Sequence, residues 1–270
     1  MSDALLGAAT RGVTVYDLAQ PLEAGIPCSP NHPGFRLALT RRHGDTVRPD
    51  GGSAASEMIV TGGHVGTHVD ALAHVSHDGR LHGGLPADET QRTGRFSALG
   101  VDTIAPMVCR GVLLDVASAR GVAVLAGGEG ITARDLADAA AQAGVEPREG
   151  DVALVRTGWA RNWDDPDAYL GHSTGVPGVT EDGAAWLADR QVRATGGDTT
   201  AYEQIPAGQG HRLLPVHRLL LVERGIHIIE HLDLDALAAA EVTEFLFVLT
   251  PLKIVGGTGS PVRPIAVVGG

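Results

Sequence analysis

Short apolar runs rich in β-branched residues, separated by polar and glycine-bearing stretches, recur along the chain. They are VTVYDL (13–18), FRLALT (35–40), EMIVTG (57–62), GVLLDV (111–116), DVALVRTG (151–158), IHIIE (226–230), FLFVLTPLKIV (245–255) and PIAVV (264–268). Runs of this length bounded by turn formers predict strands. Helical spacing appears between them. In ITARDLADAAAQAG (131–144), Thr132 stands at the N-cap, Asp135 follows three residues on, and Gly144 supplies the stop. Thr180 opens a second predicted helix, EDGAAWLADRQ (181–191), and Pro215 suits the first turn of a third, VHRLLLVER (216–224), closed by Gly225. Strands crowd the N-terminal third and then alternate irregularly with helices. This order predicts a mixed-sheet α/β or α+β fold rather than a purely parallel sheet. The segment GGTGSP (256–261) lacks the GK[ST] of a phosphate loop and reads as a turn between strands.

Length and composition narrow the function classes. A chain of 270 residues suits one domain spanning 1–270. A net charge of −11 and an aromatic content of 4% argue against nucleic acid, which needs positive charge and stacking rings. No apolar stretch reaches membrane-spanning length, and the opening MSDALLGAATRGVTVYDLAQ lacks a basic segment followed by an uninterrupted apolar run. Cys28 and Cys109 have no CxxC spacing and cannot build a disulfide framework. The expectation is an untargeted cytoplasmic protein with neither a nucleic-acid nor a membrane partner.

The chemistry concentrates in GGHVGTHVDALAHVSH (62–77). Counted from His64, the residues His68, Asp70 and His74 fall at offsets 4, 6 and 10. A helix would turn Asp70 about 240° away from His64. Even offsets share one face of an extended chain, but a straight strand of this length would span roughly 33 Å. The segment must therefore bend, and Gly66 and ALAH suggest a strand that turns into a helix. Two imidazoles with a carboxylate can ligate Zn, Mn or Fe, and a carboxylate can bridge two ions. His77 and His82 lie outside this register and are expected in solvated loops or at a pocket rim.

A second cluster lies in PVHRLLLVERGIHIIEHLDL (215–234), with His217 near a helix start and Glu230 closing an apolar run. Such a carboxylate is either capped and solvated or held inward; beside a ligand set that lacks donors, the inward reading is preferred. Three other readings stay open. His68, Asp70 and a distant His such as His217 imitate the two-His, one-carboxylate site of a non-haem iron oxygenase. A non-catalytic metal-binding protein would use the same ligands. Cys28 and His32 are close enough in sequence to suggest a thiol nucleophile, although a buried small thiol explains Cys28 equally simply. Asp198 and Thr199 in GGDTT read as a turn in which Asp accepts backbone bonds.

HVGTHVDALAH (64–74) resembles the signature H-x-G-T-H-x-D-x-P-x-H of the cyclase family of metal-dependent hydrolases, which includes kynurenine formamidases and isatin hydrolases. DLAQPL (17–22), GVLLDVASARG (111–121), GDVALVRTGW (150–159), HRLLLVERGIHIIE (217–230) and PLKIVGGTGSPVRP (251–264) resemble further family segments in the same order. The resemblance implies a mixed-sheet swivelling β/β/α domain and a homodimer or homotetramer. It implies one or two divalent ions, zinc or alternatively manganese, held by His64, His68, Asp70, His217 and Glu230. It further implies hydrolysis of an amide, lactam or lactone of a small molecule by metal-activated water, with His74 as general acid/base. Leu72 stands where the family has Pro, so packing rather than a locked φ must aim His74. In PCSPNHPGF (27–35), His32 and Phe35 stand where family members carry an aromatic residue that stacks on substrate, so both are expected to touch substrate.

Overall fold

The computed structural model describes Gly7 and residues 12–92 and 94–269. The reading of the first residues as untargeted falls largely outside this range. Thirteen strands are present among the described residues: β1 (Val13–Asp17), β2 (Arg36–Arg41), β3 (Ser56–Val60), β4 (His68–Asp70), β5 (Met107–Asp115), β6 (Gly130–Ile131), β7 (Val152–Arg156), β8 (Gly178–Val179), β9 (Ala194–Gly197), β10 (His227–Glu230), β11 (Glu244–Leu249), β12 (Gly259–Pro261) and β13 (Ile265–Gly269). Nine of them form one sheet in the order β1-β13-β11-β5-β7-β9-β10-β4-β12, while β2–β3 and β6–β8 form separate pairs. The centre, β5 to β10, is parallel, and both flanks are antiparallel. The sheet is therefore mixed, as the irregular element order predicts.

Every residue of β7 is buried, so its apolar run faces a core on both sides. One core packs Val112, Leu114 and Val155 against helix residues Leu136, Ala139 and Leu187; the other packs Val69, Leu113, Phe245 and Phe247 with Leu232. Helix α1 (Ala133–Ala143) has the predicted start and stop. Thr132 and Asp135 form a reciprocal capping box, and Gly144 adopts φ +66°. Helix α2 (Glu181–Asp189) begins after Thr180, but the Thr180 hydroxyl donates to the Ile131 carbonyl instead of capping the helix.

Several expectations need correction. After β4, ALAH makes a single turn rather than a helix. The amide of Ala71 donates to Thr258 O and that of Ala73 to Leu99 O, which leaves no i−4 ladder to build one. The third predicted helix starts as an α-turn, α3 (Pro215–His217), and continues as a π-helix over Arg218–Arg224. The apolar run 245–255 stays a strand only to Leu249, just before Pro251. GGTGSP is not wholly a turn, since its second half is the edge strand β12 paired with β4. Strand β9, sequence ATGG, escaped the pattern reading. A Cβ on Gly196 would lie 2.6 Å from the Ile229 carbonyl oxygen, so close backbone approach requires glycine there.

Candidate metal centre

Strand β4 puts His68 and Asp70 on one face, two residues apart. Strand β10 runs antiparallel to it with Glu230 opposite His68, so pairing brings a carboxylate from 162 positions downstream, at the end of IHIIE, to that imidazole. The chain enters β4 through Gly66 at φ +64°, and the His68 Nδ1–H donates to the Gly66 carbonyl at 2.7 Å. That bond fixes the tautomer and turns Nε2 inward. At the end of α3, His217 is oriented the same way. Its Nδ1 meets Glu203 Oε1 at 2.6 Å, and Glu203 also accepts from the amides of Val216 and His217.

The two inward nitrogens converge on two carboxylates. His217 Nε2 lies 3.2 Å from Glu230 Oε1 and 3.6 Å from Asp70 Oδ2. His68 Nε2 lies 3.4 Å from Glu230 Oε2 and 3.6 Å from Asp70 Oδ1. Bonds of about 2.0–2.2 Å in tetrahedral array separate neighbouring ligand atoms by roughly 3.4 Å. Asp70 Oδ2 and Glu230 Oε1 are buried without hydrogen-bond partners, a costly arrangement unless a cation sits between them. Donor chemistry and spacing thus fit a divalent metal ion. Asp70, His217 and Glu230 form one set able to hold an ion; His64, Asp70 and His74 form a second, and His68, Glu230 and His231 a third.

His64 is engaged differently from His68 and His217. Its Nδ1 contacts Asp70 Oδ1 at 2.7 Å and its Nε2 contacts Thr258 Oγ1 at 2.9 Å. His74 stacks on it with ring centroids 3.9 Å apart. Burial pushes His74 down to about 4, helped by the neighbouring His64 and His217 against the pull of Asp70, so its ring is neutral at pH 7. Burial would raise the Asp70 carboxyl, but His74, His64 and His68 together hold it far below the usual range. Burial opposes charge on His217 too, yet Glu203 and Glu230 raise its pKa well above normal.

His64, His68, His74, His217 and Glu230 line a cavity of about 230 Å³, together with Ser29, Asn31, His32, Thr200 and His211, while Asp70, fully buried, contacts them through His64. A second hollow of about 330 Å³ adjoins it and shares Ser29, Asn31 and His211. All six residues expected at a metal or proton-transfer site, His64, His68, Asp70, His74, His217 and Glu230, meet here. His32 forms part of the wall, whereas Phe35 is buried and does not line either hollow. Cys28 Sγ bonds to the carbonyls of Ser29 and His32, not to the His32 ring. Asp198 accepts backbone amides, but from Thr157 and Gly158 across the sheet rather than within its own turn. His77 is exposed, while His82 packs beneath Gly225 and bonds to the Val222 carbonyl, away from the cavity.

Sequence reasoning missed Glu203, Thr258 and His231. No spacing links Glu203 to His217, and Thr258 lies in the segment read as a turn. Strand alternation would place His231 opposite Glu230, but His231 has φ +57°, which brings its ring back beside His68, stacked on Tyr169. Its Nδ1 is buried and unpartnered.

Comparison with known proteins finds likenesses over most of the chain. The Cyclase family model matches residues 16–204. Isatin hydrolase from Roseibium aggregatum is 30% identical over 122 residues, 44% of this chain and 45% of that protein, so the match spans under half of that relative. The crystal structure of a novel cyclase superposes with a TM-score of 0.84 at 26% identity, covering 98% of this chain and 93% of that one. Isatin hydrolase A from Ralstonia solanacearum superposes with a TM-score of 0.76 at 26% identity, covering 99% and 97%.

Proposed function

The chain belongs to the Cyclase family, and from that premise we propose that it is a metal-dependent hydrolase opening an amide, lactam or lactone of a small molecule. The observation that carries this reading is the pair of unpartnered carboxylate oxygens, Asp70 Oδ2 and Glu230 Oε1, facing His217 Nε2. His68, Asp70, His217 and Glu230 would hold the first ion. His64 and Asp70 would hold a second. Zinc suits the nitrogen and oxygen donors, with manganese as the alternative. Bound there, the metal supplies a Lewis acid that lowers the pKa of water from about 15.7 toward 7 and polarises a carbonyl.

The protein's own groups supply the rest. His74, neutral and at the cavity wall, takes a proton from water on a ring nitrogen and returns it to the departing nitrogen or oxygen. Glu203 fixes the His217 ring, and Gly66 fixes that of His68. His32 and Asn31 line the cavity wall, which supports a role for both in meeting substrate. The unpaired thiols of Cys28 and Cys109 support a cytoplasmic setting. Among the described residues no helix is long and apolar enough to cross a membrane.

The test is metal analysis of the purified protein, followed by chelation, reconstitution with zinc or manganese, and assays on N-formyl anilines, cyclic imides, isatin and lactones. Hydrolysis that disappears with chelation and returns with metal is expected. Full activity in metal-free protein would refute the proposal, and turnover that consumes oxygen would favour the oxygenase reading.

A further inference from the structure

The parallel centre of the sheet has an edge that the metal centre does not use. Val152, Ala194 and His227 are aligned across β7, β9 and β10 where these strands begin, while Glu230 closes β10 at its other end, roughly 10 Å along the strand. A hollow of about 440 Å³ opens at the starting edge, and its lining shares no residue with the metal-centre cavity or with the hollow beside that cavity. Arg193, Arg224 and His227 stand in its wall beside Thr103 and Gln191, and no residue of the wall is acidic. On a chain whose net charge is −11, a concave surface with two guanidinium groups and no carboxylate reverses the local field and draws anions.

Both arginines keep donors to spare. Arg193 Nη2 donates to the carbonyls of Ala105 and Pro106 at 2.8 and 3.3 Å, which fixes the guanidinium, and Arg193 has no ion-pair partner among the described residues. A role confined to those carbonyls would use one nitrogen and leave Nε and Nη1 idle. Arg224, the last residue of the π-helix, meets Asp189 Oδ1 at 3.1 Å through Nη2. Both side chains of that pair are exposed, and such pairs hold little. The Nδ1–H of His227 is committed elsewhere, to the Asp70 carbonyl at 2.9 Å. The positive charge offered to a ligand is therefore that of the arginines.

We infer that this hollow binds the phosphate group of a small phosphomonoester, a ligand distinct from the substrate of the metal centre. Two guanidinium groups offer planar forks of donors to a tetrahedral dianion with three terminal oxygens, whereas a single carboxylate brings one charge and two oxygens and fills one fork. The volume exceeds what phosphate alone would occupy and leaves room for a small organic group, toward which Gln191 adds a side-chain amide. The site lies behind the metal centre, since His227 in its wall holds the carbonyl of Asp70.

The test is calorimetric titration of the full chain with glycerol phosphate, beside succinate, at a pH of about 8, where a phosphomonoester is a dianion. Saturable binding of glycerol phosphate with a Kd on the order of 0.1–1 mM is expected, weakening as salt is added. Arg193→Gln and Arg224→Gln should each weaken it about 10-fold or more, as for loss of a charge-assisted contact. Should Arg193→Gln fail to fold, Arg224→Gln still decides, because that side chain is exposed in the single chain. Arg41→Gln, also exposed but outside the hollow, should bind like the parent. His68→Ala should too, which separates this site from phosphate resting on a metal ion and keeps the outcome independent of the proposed hydrolase. No saturable binding up to about 10 mM would overturn the inference. So would undiminished binding by Arg224→Gln, binding lost in His68→Ala, or succinate held more tightly than glycerol phosphate.

Discussion

Arg156 at the end of β7 and Asp70 at the end of β4 are charged groups taken out of water by the same sheet, but only the first is fully matched. Arg156 Nε and Nη2 donate to Asp235 Oδ1 at 2.9 and 2.6 Å, and Nη1 donates to both oxygens of Asp115 at 3.0 and 3.1 Å. Asp235 is shared with Arg161. Around Asp70 the bookkeeping fails: two carboxylates crowd together, and one oxygen of each has no donor. A buried charge with its partners present holds structure together, whereas buried charges that lack a partner mark where a ligand cation belongs.

The strongest way to break this contrast is His68→Ala. It removes a nitrogen that faces both carboxylates, so bound metal should be lost. Turnover should fall by about 10³-fold or more, since the ion supplies several kcal/mol of charge stabilisation. Elemental analysis showing full metal occupancy in this variant would end the assignment of His68 as a ligand. His74→Ala tests a different role beside it. Metal should remain while kcat drops by about 10²–10⁴-fold, the usual worth of a positioned acid or base. An unchanged kcat would remove His74 from proton transfer.

Arg156→Met probes the matched side. It leaves Asp115 and Asp235 facing each other without their shared cation, and urea unfolding should show a loss of about 3 kcal/mol. Metal content of the folded protein should not change. If stability held while metal binding fell, the two regions would be coupled and the contrast between them false.

The legible parts of the molecule are those whose determinants are local. His68 and Asp70 sit two apart, so any extended backbone aligns them, and α1 carries its cap and stop within its own sequence. Glu230 could be suspected because a carboxylate closes an apolar run. The ALAH turn was misread because amides with helical propensity find tertiary acceptors at Thr258 and Leu99. Strand β9 has almost no side chains to advertise it. His231 was missed because one left-handed residue reverses the alternation that sequence reading relies on. Glu203 was invisible because its relation to His217 exists only after folding.

That last residue gives the finest test. Glu203 takes the Nδ1 proton side of His217 into a 2.6 Å contact and makes Nε2 a stronger donor to anything in the centre, metal ion or proton. Glu203→Gln should weaken metal binding by about 10–100-fold at a pH where His217 is deprotonated. The same substitution withdraws a negative charge that raises the His217 pKa, so the competing proton is also held less tightly. The two effects oppose each other as pH falls. The deficit in metal affinity should therefore be largest in alkaline buffer and shrink once protonation of the parent begins to compete. Competition titrations with a chelating indicator across the pH range read this directly. A deficit that grew on acidification would mean that Glu203 supports the fold around the site instead of the basicity of His217.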